Sequence, residues 1–206
     1  MTGVGSYLPK NKYSNEDLTK FIDTSDEWIT KRSGIKFRHF VSENETTSDM
    51  AVNAALNAII NAQIKKEVID LIIVATTTPD NTFPATATHV QKKLGINSVS
   101  FDVQAVCAGF VFALSVAKSM MKDNHYSNCL VIGADSMSKL LNWKDRTTSV
   151  LFGDGAGAVI LQKFENIDKK LNDWGILSNV IHSDGNLYDL LKTNGGVSNN
   201  QISGFI

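Results

Sequence analysis

Cysteine is scarce in this chain, with only Cys107 and Cys129 among 206 residues. The two give neither a disulfide framework nor a metal-ligand spacing, so reduced thiols and no bound metal are expected. An excess of one charge is missing as well. Twenty Lys and Arg stand against 21 Asp and Glu, for a net charge of −1, which excludes the basic footprint of a nucleic-acid binder. No apolar run reaches the length of a membrane span. Residues 1–9 lack the basic start and apolar stretch of a secretion signal, and a cytoplasmic protein is the expectation. Internal repeats and low-complexity tracts are also absent. What is present is ordinary globular composition, 43% hydrophobic and 20% charged, enough for one sizeable core.

Apolar runs alternate with helical patterns. Residues 1–8, 68–76, 99–103, 128–134 and 156–162 read as strands. The run Leu71-Ile-Ile-Val-Ala75 suits a strand covered on both faces. Helices are expected at 14–22, 24–32, 48–62, 84–94 and 107–121. The second opens on Thr24 with Glu27 three residues later, a capping box. The third places Ala51, Ala54, Ala55, Ala58, Ile59 and Ala62 on one face, and so many alanines predict close packing on a flat sheet. Pro84 stands at the first turn of the fourth and Gly95 just past its end. The fifth is apolar nearly all round and should be buried. Beyond residue 162 the pattern weakens, with one more strand expected at 174–181. Strand–helix alternation of this kind gives an α/β fold, a mainly parallel sheet with helices on its faces. The domain division expected is 1–163, with 164–206 as a connecting segment.

Three places carry chemistry. In Phe101-Asp-Val-Gln-Ala-Val-Cys107-Ala-Gly-Phe110 a strand ends, the chain turns, and a cysteine starts a helix. N–H groups at a helix N-terminus favour thiolate and can hold an oxyanion. The plain alternative is a buried structural cysteine, which is the reading for Cys129 at the start of an apolar strand. The glycine-rich stretch with Gly153, Gly155 and Gly157 precedes a strand rather than a helix. That order is wrong for a dinucleotide or P-loop site and predicts a tight turn with close backbone approach instead. Trp28 and Arg32, four apart on one helix face, could hold a flat phosphorylated group; an amphipathic surface helix is the plain alternative.

Taken together, Gly5-Ser-Tyr-Leu-Pro9, Asp23-Thr-Ser-Asp-Glu-Trp28, Arg32-Ser-Gly-Ile35, Ala75-Thr-Thr-Thr78, Ala105-Val-Cys107-Ala-Gly-Phe110, and Asp145-Arg146 through Phe152-Gly-Asp-Gly-Ala-Gly157 occur in order. As a set they resemble β-ketoacyl-acyl-carrier-protein synthase III, from the first residues to about Leu191. The resemblance implies a thiolase-like fold of two βαβαβαββ halves in a homodimer, of which this chain supplies the N-terminal half. It implies that Cys107 takes the acyl group of acetyl-CoA or another acyl-CoA. Condensation with malonyl-acyl carrier protein (ACP), with loss of CO2, then gives a 3-ketoacyl-ACP. No cofactor beyond the CoA thioester substrate is implied, and no membrane or nucleic-acid partner.

The same resemblance implies site residues. Trp28 and Arg146 would sandwich the CoA adenine with Thr24 and Arg32 nearby. Phe83 would approach the partner subunit's acyl pocket, Phe152 would lie close to the cysteine, and Gly153, Gly155 and Gly157 would form an active-site turn. Val106 stands where the family usually has Ala. The family's catalytic His and Asn belong to the second half, beyond this sequence, and His39, His89, His125 and His182 do not replace them. Loss of such oxyanion donors lowers a rate by roughly 10²–10³ per donor, so this chain alone is expected to condense poorly and to expose apolar surface. The alternatives are a non-catalytic CoA-binding half-domain, or another acyltransferase on the same fold of the 3-hydroxy-3-methylglutaryl-CoA synthase or polyketide starter type.

Overall fold

The structure, a computed structural model, describes residues 1–122, 125–164 and 175–199. By packing, the chain divides into two units that interleave in sequence. The first comprises Met1–Tyr7, Glu45–Asp135 and Ala156–Ile181; the second comprises Leu8–Asn44, Ser136–Gly155 and His182–Ile206.

A five-stranded sheet forms the first unit. Its strands are β1 (Gly3–Tyr7), β4 (Leu71–Ala75), β5 (Val99–Val103), β6 (Asn128–Ser136) and β7 (Asp154–Gln162), in the order β1-β7-β6-β4-β5. β4 runs parallel to both β5 and β6, pairing Leu71 with Val99 and with Cys129, while β1 and β7 are antiparallel with Gly5 opposite Ala158. Helices α3 (Thr47–Ala62), α4 (Thr86–Leu94) and α5 (Gly109–Met120) fall between strands. The order β1-α3-β4-α4-β5-α5-β6-β7 is the expected βαβαβαββ succession, and the sheet is mainly parallel with helices on its faces.

Alternation along each strand divides the core in two. Ile72, Val74, Leu130, Ile132 and Ile160 point to the face covered by α3 and α4. Leu71, Ile73, Ala75, Val131 and Val159 point to the face covered by α5. On the first face the alanines of α3 lie directly on β1, as their spacing predicts. A Cβ at Gly3 would stand 2.3 Å from the Ala58 carbonyl oxygen. Helix α3 begins with a capping box in which Thr46 and Asp49 satisfy each other's backbone N–H.

Several expectations are corrected. Helix α4 starts at Thr86, two residues after Pro84, because the Asp102 carboxylate on β5 accepts from the Thr86 and Ala87 N–H groups at 2.7 Å each. Gly95 ends it in the left-handed conformation at φ 64°. The cysteine helix is not buried all round: only Gly109, Ala113 and Ala117 are, and Val111 is 44% exposed. Within 174–181, Trp174 lies outside the described residues and residues 175–181 form no strand.

The second unit holds a two-stranded antiparallel sheet that the sequence reading did not anticipate, β2 (Asn11–Ser14) against β3 (Phe37–Phe40). It also holds α1 (Asn15–Leu18), α2 (Asp26–Ser33) and α6 (Arg146–Ser149). The helix expected at 14–22 is thus a single turn, with Ser14 as its cap. Helix α2 is capped by Ser25, whose hydroxyl accepts from the Trp28 N–H, so the Thr24–Glu27 capping box does not form. Asp145 caps α6, its carboxylate accepting from the Thr147 N–H at 2.8 Å. Leu18, Ile29, Phe40 and Val150 make the small core here, with Trp28 and Trp143 packed against it. Among the described residues no helix is long and apolar enough to cross a membrane, and no group of three His, Cys, Asp or Glu could hold a metal ion.

Candidate functional site

In the first unit β5 ends at Val103, and Cys107 follows in a 3-10 turn, Val106–Ala108, before α5 begins at Gly109. The thiol is exposed. The Ala108 N–H donates to Ala105 O at 3.1 Å and the Gly109 N–H to Val106 O, so these two donors are spent on the turn itself. Val106 has φ 46°. A β-branched residue in the left-handed region is a genuine outlier, and such strain costs on the order of 1–3 kcal/mol unless its surroundings hold it. In the sequence Val106 is marked only as a departure from the family's usual Ala; its strain depends on the turn. Cys129 is the opposite case, fully buried in β6, where burial pushes its thiol up.

Beside the turn, the parallel strands end on one edge of the sheet. There the Asp135 carboxylate accepts from the Thr77 N–H at 2.7 Å and from the Thr76 and Thr78 hydroxyls at 3.3 Å each. Burial pushes the Asp135 carboxyl above its ordinary range, against the pull of those donors. The loop after β4 carries Phe83, which is 83% exposed. Its base is clamped where Asp80 accepts from Ser48 N–H at 2.9 Å and pairs with His89 Nδ1 at 2.8 Å.

In the second unit α2 sets Trp28 and Arg32 one turn apart. The Arg32 guanidinium lies 4.2 Å and that of Arg146 5.1 Å from a Trp28 ring centroid. Arg146 is anchored by donating to Asp23 O at 2.9 Å. Two guanidiniums on one indole make an electropositive aromatic platform. The Thr24 hydroxyl oxygen, in the same unit, is buried and has no hydrogen-bond partner among the described residues. The structure thus brings Trp28, Arg32 and Arg146 together.

The glycine-rich stretch divides. A Cβ at Gly153 would stand 3.2 Å from Arg38 Cβ, so close backbone approach is real there. Gly155 and Gly157 lie inside β7 rather than in a turn, and a Cβ at Gly157 would meet open space. Phe152 directly precedes Gly153 in this segment. Sequence reading missed what braces it. Asp154, 4% exposed, accepts from the Val41 and Ser138 N–H groups at 2.8 Å each. Arg38, 5% exposed, donates through Nη2 to Asn15 Oδ1 at 2.8 Å and Val150 O at 3.2 Å, and burial lowers its pKa. No sequence signal pairs residues 112 apart. His39 and His89 have structural partners, Pro9 O for His39 Nδ1 and Asp80 for His89.

Comparison with known proteins accords with this arrangement. Residues 101–185 match the sequence profile of a family described as 3-oxoacyl-[acyl-carrier-protein] synthase III. A β-ketoacyl-[acyl-carrier-protein] synthase III of Ehrlichia canis (strain Jake) is 56% identical over 99% of this chain and 63% of its own length. One from Paramagnetospirillum magneticum is 55% identical with the same coverage. The solved 3-oxoacyl-(acyl carrier protein) synthase III of Pseudomonas aeruginosa PAO1 is 35% identical and superposes at a TM-score of 0.84, covering 99% of this chain and 62% of that one. The chain therefore spans about 63% of the length of the curated relatives it matches. Within that span it has the thiolase-like fold, and over 99% of its length it is similar to β-ketoacyl-[acyl-carrier-protein] synthases III.

Proposed function

We propose that the chain carries the acyl-accepting part of a decarboxylating condensing enzyme that starts fatty acid synthesis, acting on acyl-CoA and malonyl-ACP. The observation that carries this reading is an exposed Cys107 in a strained turn between β5 and α5, within a chain 56% identical to a named synthase. The Cys107 thiolate attacks the acyl-CoA carbonyl, the C–S bond to CoA breaks, and CoA leaves as a thiolate that takes up a proton. Malonyl-ACP then loses CO2, and the enolate carbon attacks the Cys107 thioester. A carbon–carbon bond forms, the C–S bond to Cys107 breaks, and 3-ketoacyl-ACP departs. The bond changes balance without an added oxidant, reductant or metal.

Trp28, with Arg32, Arg146 and the unpartnered Thr24 hydroxyl, is the proposed seat of the CoA nucleotide. The indole face suits a purine and the guanidiniums suit phosphate. Phe83 and Phe152 are proposed for the acyl pocket, Phe83 that of a second copy in a homodimer, and Gly153 for the active-site turn. The relatives' further length is the proposed source of the donors that stabilise the enolate, so this span by itself takes the acyl group but condenses slowly.

Intact-mass analysis after incubation with acetyl-CoA tests the reading. One acetyl group on Cys107, absent in Cys107→Ala, is expected. A thiol that reacts with iodoacetamide yet takes no acetyl group, with the remaining length supplied in trans, overturns it.

A further inference from the structure

Asp135 is a half-buried carboxyl with no part in the bond changes above. Burial opposes its charge, and its Oδ1 atom alone takes up three donors from the Thr76–Thr78 run. What that run supports is the cysteine turn. The Thr76 N–H donates to Val103 O at 3.3 Å, on the last residue of β5 and four before Cys107. On the other side of the turn, a Cβ at Gly109 would stand 3.3 Å from Ala75 Cβ, so α5 begins directly on the end of β4. Both flanks of the turn therefore rest on Ala75 and Thr76, and Asp135 holds that pair in place. A left-handed Val106 persists only where the surroundings over-determine it, and this is the bracing that the first unit offers.

We infer that Asp135 is a positioning residue for Cys107, acting through Ala75–Thr78 to keep the strained turn in the conformation that presents the thiol. The inference rests on the reading of Cys107 as nucleophile. Asp135 acts at a distance, through the hydrogen bonds it accepts, and touches no substrate in the proposed reaction.

Alkylation of the native chain by iodoacetamide, with peptide mass spectrometry separating Cys107 from Cys129, tests it. Cys129 is fully buried, so label there reports unfolding. Asp135→Ala is expected to slow Cys107 alkylation by about tenfold, since a relaxed turn no longer presents the exposed thiol to the reagent. Asp135→Asn keeps an acceptor oxygen for Thr77 N–H and is expected to return the rate to within about threefold of wild type. An unchanged rate in Asp135→Ala, with Cys129 unlabelled, overturns the inference. If Asp135→Ala labels Cys129, Thr76→Val decides: a slowed Cys107 supports the brace, and a wild-type rate removes it. Acetyl-CoA, run in parallel on the wild type, separates the two claims. Alkylation without acetylation removes the acyl-transfer reading, while the variant series still decides the role of Asp135.

Discussion

Gly5 on β1 lies so close beneath Ala54 on α3 that a Cβ at Gly5 would stand 2.2 Å from the Ala54 carbonyl oxygen. The neighbour is backbone, which cannot swing aside. Gly5→Ala should lift α3 off the sheet and destabilise the chain by about 3 kcal/mol, read as a lowered urea midpoint. Gly157→Ala, in the partner strand β7 with open space beside it, should change the midpoint little.

Asp154 takes up the Val41 and Ser138 N–H groups and the Ser138 hydroxyl. Asp154→Ala leaves those donors buried without an acceptor and should cost about 3 kcal/mol. Asp154→Asn, which keeps one acceptor oxygen, should cost less. Equal losses in the two variants by calorimetry would show that the charge matters and the hydrogen bonds do not.

Acid should loosen the clamp at the base of the Phe83 loop. Burial alone would raise the Asp80 carboxyl, but hydrogen bonds from Ser48 and His89 and the charge of Lys93 outweigh it and hold Asp80 below its ordinary 3.8. A carboxyl depressed on folding contributes stability that is present above its unfolded value and lost as pH falls through the folded one. The stability gap between wild type and Asp80→Asn should therefore be full near about pH 5 and close below 3.8. Urea midpoints across that range measure it, and a gap that persists in acid would show the linkage to be absent.

Tyr7 should be among the last tyrosines to ionise. Its hydroxyl donates to Glu45 Oε1 at 2.7 Å, and that bond, with burial and the carboxylate charge, pushes the phenol from 10 up to about 12. Ultraviolet titration of Tyr7→Phe should lose the highest inflection, and Glu45→Gln should bring it down. An unchanged upper inflection in both variants refutes the pairing.

Sequence by itself determined the strand–helix order of the sheet in the first unit, because period-2 and period-3.6 patterns are local properties of a few consecutive side chains. The alanine face of α3 and the apolar run of β4 were legible for that reason, as was the place of Cys107 between a strand and a helix. Where two local choices compete within one residue, as for Thr24 and Ser25 at the cap of α2, the pattern could not choose between them. Only tertiary structure decided that Asp135 meets Thr77 across 58 residues, that Arg38 meets Val150 across 112, and that Asp102 sets the start of α4. Those pairings depend on strand register and on which buried donors lack a partner, and neither is written in the periodicity of a single segment.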